Sequence, residues 1–379
     1  MRICILNVLH SLDDKRVFYK EALSLVGAGH EVISVVPSDD QDLPSSLEGV
    51  ELVRIPVARS LPARLRSTLR LISIGRRQPV DCYLCVEPES WVAGLAIKLL
   101  TGRKVVFDVH EYIPTEFAKF FPRFLRSLIA WSTIRAMRLM ARVTDHIILT
   151  KNCLDKEFEG LAVPRTVVLN TNHLQQPTAD IPDSLLETYG SKPTIIHQGV
   201  FGDVRGSFQL LDAMVILKDR IPDIRCIILG DYVYGDVEKF RQGIREKGLG
   251  EHMHLLGVVP FHEVPAYVAV SKAGLILFQP IGLAHTYGMP HKMFDYMREG
   301  VPMIAPDFAV EIKLIVEEGP CGLLIDVTDP EAIAEAIQRL LEDKELAERL
   351  GANGRKAVEQ KYNWQAEEKK LLSVFEALT

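Results

Sequence analysis

A chain of 379 residues exceeds what one hydrophobic core comfortably organises, so two domains of ordinary size are expected. With 47% apolar and 25% charged residues the composition is globular, which excludes disordered and fibrous classes. The net charge of -6 argues against a general nucleic-acid binder, and no nucleic-acid partner is expected.

The charge is unevenly placed. Residues 59–77 hold six arginines and no acid, residues 117–142 hold six more basic residues and no acid, and the C-terminal third is acidic. The six cysteines are scattered through apolar runs, the usage of a reducing compartment. Cys82 and Cys85 form a C-x-x-C inside a strand-like run with no second pair, so no metal or redox role is read there. The apolar run of MRICILNVLH is too short for a signal peptide, and no stretch of about 18 apolar residues occurs. The expectation is a cytoplasmic protein, soluble or peripheral on the inner face of the membrane.

In chain order, short β-branched runs alternate with helical patterns, the signature of βαβ units and of an α/β fold with parallel sheets. RICILNV, HEVISVVP, VELVRIPV, DCYLCVE, KVVFDVH, HIILT and TVVLN read as strands of one sheet. Between the first two, DKRVFYKEALSLVGAGH carries apolar residues at helical spacing and stops at Gly27 and Gly29. After Asn170 the chain turns polar, with Pro177 and Pro182 in a stretch that suits a linker. PTIIHQGVF, DIRCIILGDY, HMHLLGVV, KAGLILFQP, VPMIAPD and CGLLIDV then read as a second parallel sheet. The expected domains are residues 1–175 and 190–362, with an amphipathic helix at 363–379 left over after the second sheet.

Two such halves would place a cleft at the carboxyl ends of their strands, where open parallel sheets bind ligands. Candidate residues therefore lie just after strands. His110 and Glu111 follow KVVFDV, and Arg205 follows PTIIHQGVF. After KAGLILF comes a long loop ending in Tyr287, Gly288, Met289, Pro290, His291 and Lys292, with Asp295 one turn into a helix. A helix start there offers free N–H groups and a positive dipole end to phosphate, Lys292 adds a point charge, and Asp295 could accept from ribose hydroxyls. The ordinary alternative is a plain helix start with a solvated lysine. Arg205 offers a planar fork of donors to a phosphate, and His110 could hydrogen-bond a sugar hydroxyl. His252 and His254 lie in a strand with no acidic partner and are discounted as a metal pair. G-x-S-x-G, P-loop and G-x-G-x-x-G motifs are absent, so hydrolase, NTPase and dinucleotide dehydrogenase readings lack their signatures.

Taken together, DDKRVFYKEALSLVGAGHEV, FDVHEYIPTEF, QGVFGDVRGSFQLLDAM, PHKMFDYMREGVPMIAPD and CGLLIDVTDPEAIAEAI resemble the retaining glycosyltransferases of family 4 over nearly the whole chain. The resemblance implies the GT-B architecture, two facing Rossmann-like domains with the last helix crossing back to the first. It implies a nucleotide diphosphate sugar as donor and a hydroxyl acceptor, lipid-linked in many relatives, in cell-surface polysaccharide or glycolipid synthesis. Arg205 and Lys292 would hold the diphosphate, Asp295 the ribose and His110 the donor sugar, with Gly199, Tyr287, Gly288, Met289 and Pro290 completing the donor loops. Asp14, Arg16 and Glu111 would face the acceptor.

Most relatives carry two glutamates in the last loop, where this chain has Tyr287 and Asp295; the Gly-Gly usual near the N-terminus is also replaced, around Asp14 to Val17. The resemblance suggests same-face attack by the acceptor, with no cofactor and no metal expected. The basic stretches at 59–77 and 117–142 read as interfacial helices for an anionic membrane surface, the alternative being domain helices with solvated arginines. A non-catalytic sugar-nucleotide-binding protein or a sugar-nucleotide epimerase of the same architecture stands as the rival reading.

Overall fold

The computed structural model describes residues 1–379 apart from 176 and 179. The chain forms two compact units, Met1–Asn170 together with Trp364–Thr379, and Thr171–Asn363.

The first unit is built on an eight-stranded sheet. Its strands are β1 (Arg2–Leu6), β2 (Glu31–Pro37), β3 (Ser46–Leu47), β4 (Val50–Ile55), β5 (Cys82–Cys85), β6 (Lys104–Val109), β7 (His146–Leu149) and β8 (Arg165–Val167), in the spatial order β3-β4-β2-β1-β5-β6-β7-β8. The short edge strand β3, which was not foreseen from sequence, runs antiparallel to β4, and the other neighbours pair parallel. The central strands read as unbroken apolar runs because helices cover both faces.

Local chemistry sets the helix ends. Pro88–Thr101 starts with a proline at its first turn and a reciprocal Glu87–Ser90 capping box, and it stops at Gly102, whose φ of 72° is the left-handed conformation that glycine adopts without strain. Trp91 from this helix stacks on Phe107 of β6 at 4.0 Å. The basic stretch 117–142 is not one helix. Ile113–Ala118 and a single turn at Arg123–Leu125 precede the helix Arg126–Ala141, because Pro122 cannot continue a helix.

The first unit ends at Asn170, short of the expected residue 175, and takes in the last helix, Trp364–Glu376. That helix belongs there because Leu371, Val374 and Phe375 join the core of β1, β2 and β5. The Trp364 indole donates to Ser24 Oγ, and the Glu367 carboxylate accepts from the backbone of Leu169.

The second unit holds a six-stranded parallel sheet and a short ribbon. In chain order the strands are β9 (Thr194–Gln198), β10 (Phe201–Gly202), β11 (Arg225–Leu229), β12 (Tyr232–Tyr234), β13 (Met253–Gly257), β14 (Ala273–Leu275), β15 (Met303–Pro306) and β16 (Gly322–Ile325). The sheet runs β13-β11-β9-β14-β15-β16, and β10 pairs with β12 beside it. The helical stretch after residue 330 divides into Pro330–Glu342 and Lys344–Gln360, because Asp343 caps the second helix by accepting from the backbone of Leu346. His254 is satisfied by the Tyr189 hydroxyl and His252 by the Ile224 carbonyl, as a structural pair would be. All six cysteines are buried.

Candidate active site

In the second unit the chemistry gathers where β9 and β14 end. The strand β9 is buried up to His197, and the chain then turns through Gly199 at φ 86°. A Cβ at Gly199 would stand 4.0 Å from Lys292 Cε, so this glycine lets the backbone run directly beside the lysine. Further on, Gly206 at φ 79° starts the helix Ser207–Arg220 against the Leu277 carbonyl, where no larger residue fits. Arg205 between them lays its guanidinium on the Phe278 ring at 4.2 Å, with Nε buried and unpartnered.

Lys292 enters from the first turn of the helix His291–Glu299, whose N-cap is Pro290. It is only 8% exposed, and its Nζ lies 3.0 Å from His197 Nε2. Among the described residues no carboxylate forms an ion pair with it. Burial, then the Arg205 charge, holds its pKa well below the ordinary lysine range. His197 is fully buried, and burial followed by the Lys292 charge drives its pKa down, so the imidazole is neutral and can accept from the amine. Three buried polar atoms in this group have no partner: Arg205 Nε, His197 Nδ1 and Gln198 Oε1. Native interiors rarely tolerate such atoms; the Arg205 Nε–H is a donor that an anionic ligand beside Lys292 would satisfy, whereas Gln198 Oε1 is an acceptor that a hydroxyl would satisfy.

Asp295 is 4% exposed. One of its oxygens accepts from Asn172 Nδ2 at 3.0 Å, and the other accepts from Gln198 Nε2 at 2.5 Å. Tyr287 follows the short helix Leu283–Thr286, and with Gly288, Met289 and Pro290 it leads the chain into the Lys292 helix. Gly288 packs against Phe278, the ring that also carries Arg205.

In the first unit a second constellation forms at the ends of β1, β5 and β6. Asp108, fully buried on β6, takes Arg16 in a two-pronged ion pair, Nε to Oδ2 at 2.8 Å and Nη2 to Oδ1 at 3.0 Å. Its Oδ2 also lies 2.5 Å from His110 Nε2. Burial alone would raise the Asp108 pKa, but Arg16 and His110 outweigh it and keep the carboxylate ionised far below its usual range. Glu21, also fully buried, lies 3.0 Å from Arg16 Nε. Burial and the Asp108 charge push its pKa up, since one guanidinium cannot hold two buried carboxylates ionised. Thr150 Oγ1 donates to the Val109 and His110 carbonyls and fixes the backbone there.

Beside this, Asp14 accepts from His10 at 2.9 Å, and the His10 and His110 rings meet edge to face at 5.0 Å. Glu87 anchors the His10 loop by accepting from the backbone of Val8 and Leu9.

The structure thus brings Gly199, Arg205 and Lys292 together in one unit and His110 near Asp14 in the other. Arg16, expected toward the acceptor, is held inside the first unit. It is 4% exposed, and its guanidinium points inward at Asp108, Glu21 and the Val168 carbonyl. Glu111 stays exposed and pairs with Lys151 at 2.8 Å. Sequence reasoning missed His10, Glu21, Glu87, Asp108, Asn172, His197 and Gln198. Asp108 and Gln198 stand one to two residues from glycine or histidine positions already singled out, and that adjacency was the available signal. Glu21, Asp108 and His110 bring ligand atoms within 4.8 Å of one another, a spacing that could hold a metal ion, but Arg16 already lies on both carboxylates.

Comparison with known proteins agrees with this layout. A family profile described as "Glycosyl transferases group 1" matches residues 185–357, and one described as "Glycosyl transferase 4-like domain" matches residues 15–172. A relative in Bacillus subtilis (strain 168), named "Putative glycosyltransferase EpsD", is 31% identical over 326 residues, 81% of this chain and 80% of its own. The alpha-D-kanosaminyltransferase of Streptomyces kanamyceticus is 24% identical over 88% of this chain and 86% of its own. Other matches are partial; Spore coat protein SA of Bacillus subtilis (strain 168) aligns over 49% of each chain at 27% identity. Among solved structures, Anabaena Alr3699/HepE in complex with UDP shares the fold with a TM-score of 0.78 over the full length of both chains, at 14% identity. WaaG, a glycosyltransferase involved in lipopolysaccharide biosynthesis, shares it with a TM-score of 0.68 over 98% of this chain and 99% of its own, at 14% identity. The fold is therefore GT-B, and the chain belongs to the group 1, family 4-like glycosyltransferases and is a glycosyltransferase.

Proposed function

We propose that this glycosyltransferase takes its sugar from a nucleotide diphosphate sugar and transfers it with retention of configuration to a hydroxyl acceptor. The observation that carries this reading is the buried Lys292, which forms no ion pair with a carboxylate among the described residues, beside Gly199 and near Arg205, whose Nε–H is buried without a partner. Departure of a nucleoside diphosphate accumulates negative charge, and stabilising that charge is the main demand on the enzyme. Fixed donors aimed at developing charge contribute about 3 kcal/mol each, so Arg205, Lys292 and the N–H groups at the start of the helix His291–Glu299 suffice without a metal. Asp295 would take the ribose by exchanging an amide partner for hydroxyls, and Tyr287 to Pro290 would border the donor. In the first unit His110, aligned by Asp108, is the group we assign to the reacting sugar, with Asp14 and Glu111 toward the acceptor.

Relatives and neighbours support the donor class. HepE is solved with UDP and with UDP-glucose, and a mycobacterial relative, 24% identical over 88% of this chain and 87% of its own, is named a GDP-mannose-dependent phosphatidylinositol monomannoside mannosyltransferase. We extend this to a lipid-linked acceptor in polysaccharide or glycolipid synthesis, met from the cytoplasmic face. No described helix is long and apolar enough to cross a membrane. Phe117, Phe120, Phe124, Leu128, Trp131 and Leu139 are nonetheless exposed in a stretch with six basic residues and no acid, which suits peripheral contact with anionic lipid. The test is release of sugar from radiolabelled nucleotide-sugars. One or more donors should turn over, and Lys292→Met should slow turnover by about 100-fold; equal turnover in the variant would refute the assignment.

A further inference from the structure

The contact between Lys292 and His197 has no role in the donor scheme above, yet it is an unusual way to keep a lysine. A buried ammonium is ordinarily paired with a carboxylate, because desolvation otherwise favours the neutral amine. Here the neighbour is an imidazole nitrogen at 3.0 Å. The other charged groups around Lys292 do not compensate. Arg205 is a like charge, and Asp295, one turn along the same helix, directs its oxygens to Asn172 and Gln198. His291, the preceding residue, contacts Asn172 Oδ1 at 3.0 Å. His197 Nε2 also lies 3.3 Å from the Val200 carbonyl, which can only accept, so the ring offers Lys292 an acceptor in the tautomer that carries its proton on Nδ1, an atom without a partner; the ring packs on Phe201. No anion faces the pair from β9, from the Arg205 turn or from the helix that carries Lys292.

We propose that Lys292 and His197 act as a proton-linked pair: a diphosphate settling on Lys292 draws a proton from solvent onto Nζ, and His197 Nε2 is the acceptor that aims the amine. This rests on the donor reading given above. The sign follows from the surroundings. In the free protein burial and Arg205 depress the Lys292 pKa, and a diphosphate supplies the missing anion and restores it toward the ordinary value of about 10.4. Between the depressed and the restored value the complex binds more protons than the free protein. Affinity therefore falls as pH rises through that window and levels off below it. His197 stays neutral throughout, so it is a positioning residue.

Isothermal titration of UDP-glucose and GDP-mannose at mildly alkaline pH, in two buffers of different ionisation enthalpy, decides the matter, since neither probe's esterified diphosphate titrates there. The expected result is a net uptake approaching one proton per bound donor, with affinity falling by up to about tenfold per pH unit. Lys292→Arg, whose charge is permanent, should bind without uptake. His197→Gln, which keeps an acceptor, should bind within about threefold of wild type, whereas His197→Leu should lose about tenfold. Binding without buffer dependence, or uptake that persists in Lys292→Arg, overturns the proton link while leaving the donor site standing. Equal affinity in His197→Gln and His197→Leu overturns the positioning role. If neither probe binds, a dTDP-sugar and an ADP-sugar are titrated in the same way, and if none of the four binds, the donor reading fails and this inference fails with it. The wild-type titration needs no variant, so a substitution that does not fold leaves the question decidable.

Discussion

At the residue scale, the informative side chains are those whose burial and bonding disagree with their chemistry. Lys292 is the first of these. Glu157 is another: both its carboxylate oxygens are buried without a partner, and burial pushes its pKa up to about 8. The folded protein therefore holds this proton at neutral pH, whereas an unfolded chain releases it near pH 4.3. A raised carboxyl pKa means that stability is fully present below the unfolded value and declines as pH rises toward the folded one. Glu157→Gln should accordingly stabilise the first unit by about 4 kcal/mol at pH 7.5 and by less than about 1 kcal/mol at pH 4.5, as read from urea melts at the two pH values. A gain that does not depend on pH would mean that the carboxyl is not protonated in the native state.

Between residues and elements, the network at the end of β6 ties the segment after β1 to the centre of the sheet. Arg16, near the start of the first helical segment, is the one cation between two buried carboxyls. Removing it would leave Asp108 with only the His110 imidazole beside it, and breaking a buried pair from one side costs about 3–5 kcal/mol. Arg16→Leu should lower the first transition in a denaturant melt by that amount. Asp108→Asn should act differently. It leaves donor affinity in the second unit unchanged and slows sugar transfer by about 100-fold, because His110 loses the carboxylate that orients it. Unchanged turnover in Asp108→Asn would remove His110 from the chemistry.

The basic helices make a separate statement at the same scale. On Leu61–Gly75, Leu65 and Leu69 stand exposed among arginines, and on Arg126–Ala141, Leu128, Trp131 and Leu139 do so. Arg138 is an exception, since it donates to the Glu157 and Glu159 carbonyls and holds its helix to the unit. Co-sedimentation with vesicles rich in anionic lipid should be clear at low salt and should weaken at about 0.5 M salt. Replacing Leu128 and Trp131 with glutamate should abolish it without changing donor hydrolysis. Binding to neutral vesicles alone would point to apolar insertion without the basic component.

For the whole molecule, the fold was legible because it rests on periodicity and punctuation. The alternation of apolar strands with helices shows in the sequence, and the stop at Gly29 sits at a turn with φ 83° that the backbone requires. The edge strand β3 escaped notice because two residues carry no period. The site was legible in part. Arg205 and Lys292 could be named because one lies in the turn after a strand and the other at the helix start that ends such a loop, and Gly199 came with the resemblance. Asp108 and His197 could not, because in sequence each looks like one more residue of a buried strand, and their partners Arg16 and Lys292 are 92 and 95 positions away. Arg16 was placed toward the acceptor by resemblance, and its burial among Asp108 and Glu21 could not be seen, because in sequence its counter-charges do not show. Long-range ion pairing is a property of the folded chain that local pattern does not encode.

The most direct test of the central claim is the melting temperature of the wild-type protein in the presence of UDP-, GDP-, dTDP- and ADP-sugars, repeated on Arg205→Ala. The account predicts that at least one nucleotide-sugar raises it by several degrees, about 2.7 kcal/mol of stabilisation at a hundredfold excess over Kd, and that the rise is lost in the variant. No shift with any of the four, or an equal shift in Arg205→Ala, would contradict it.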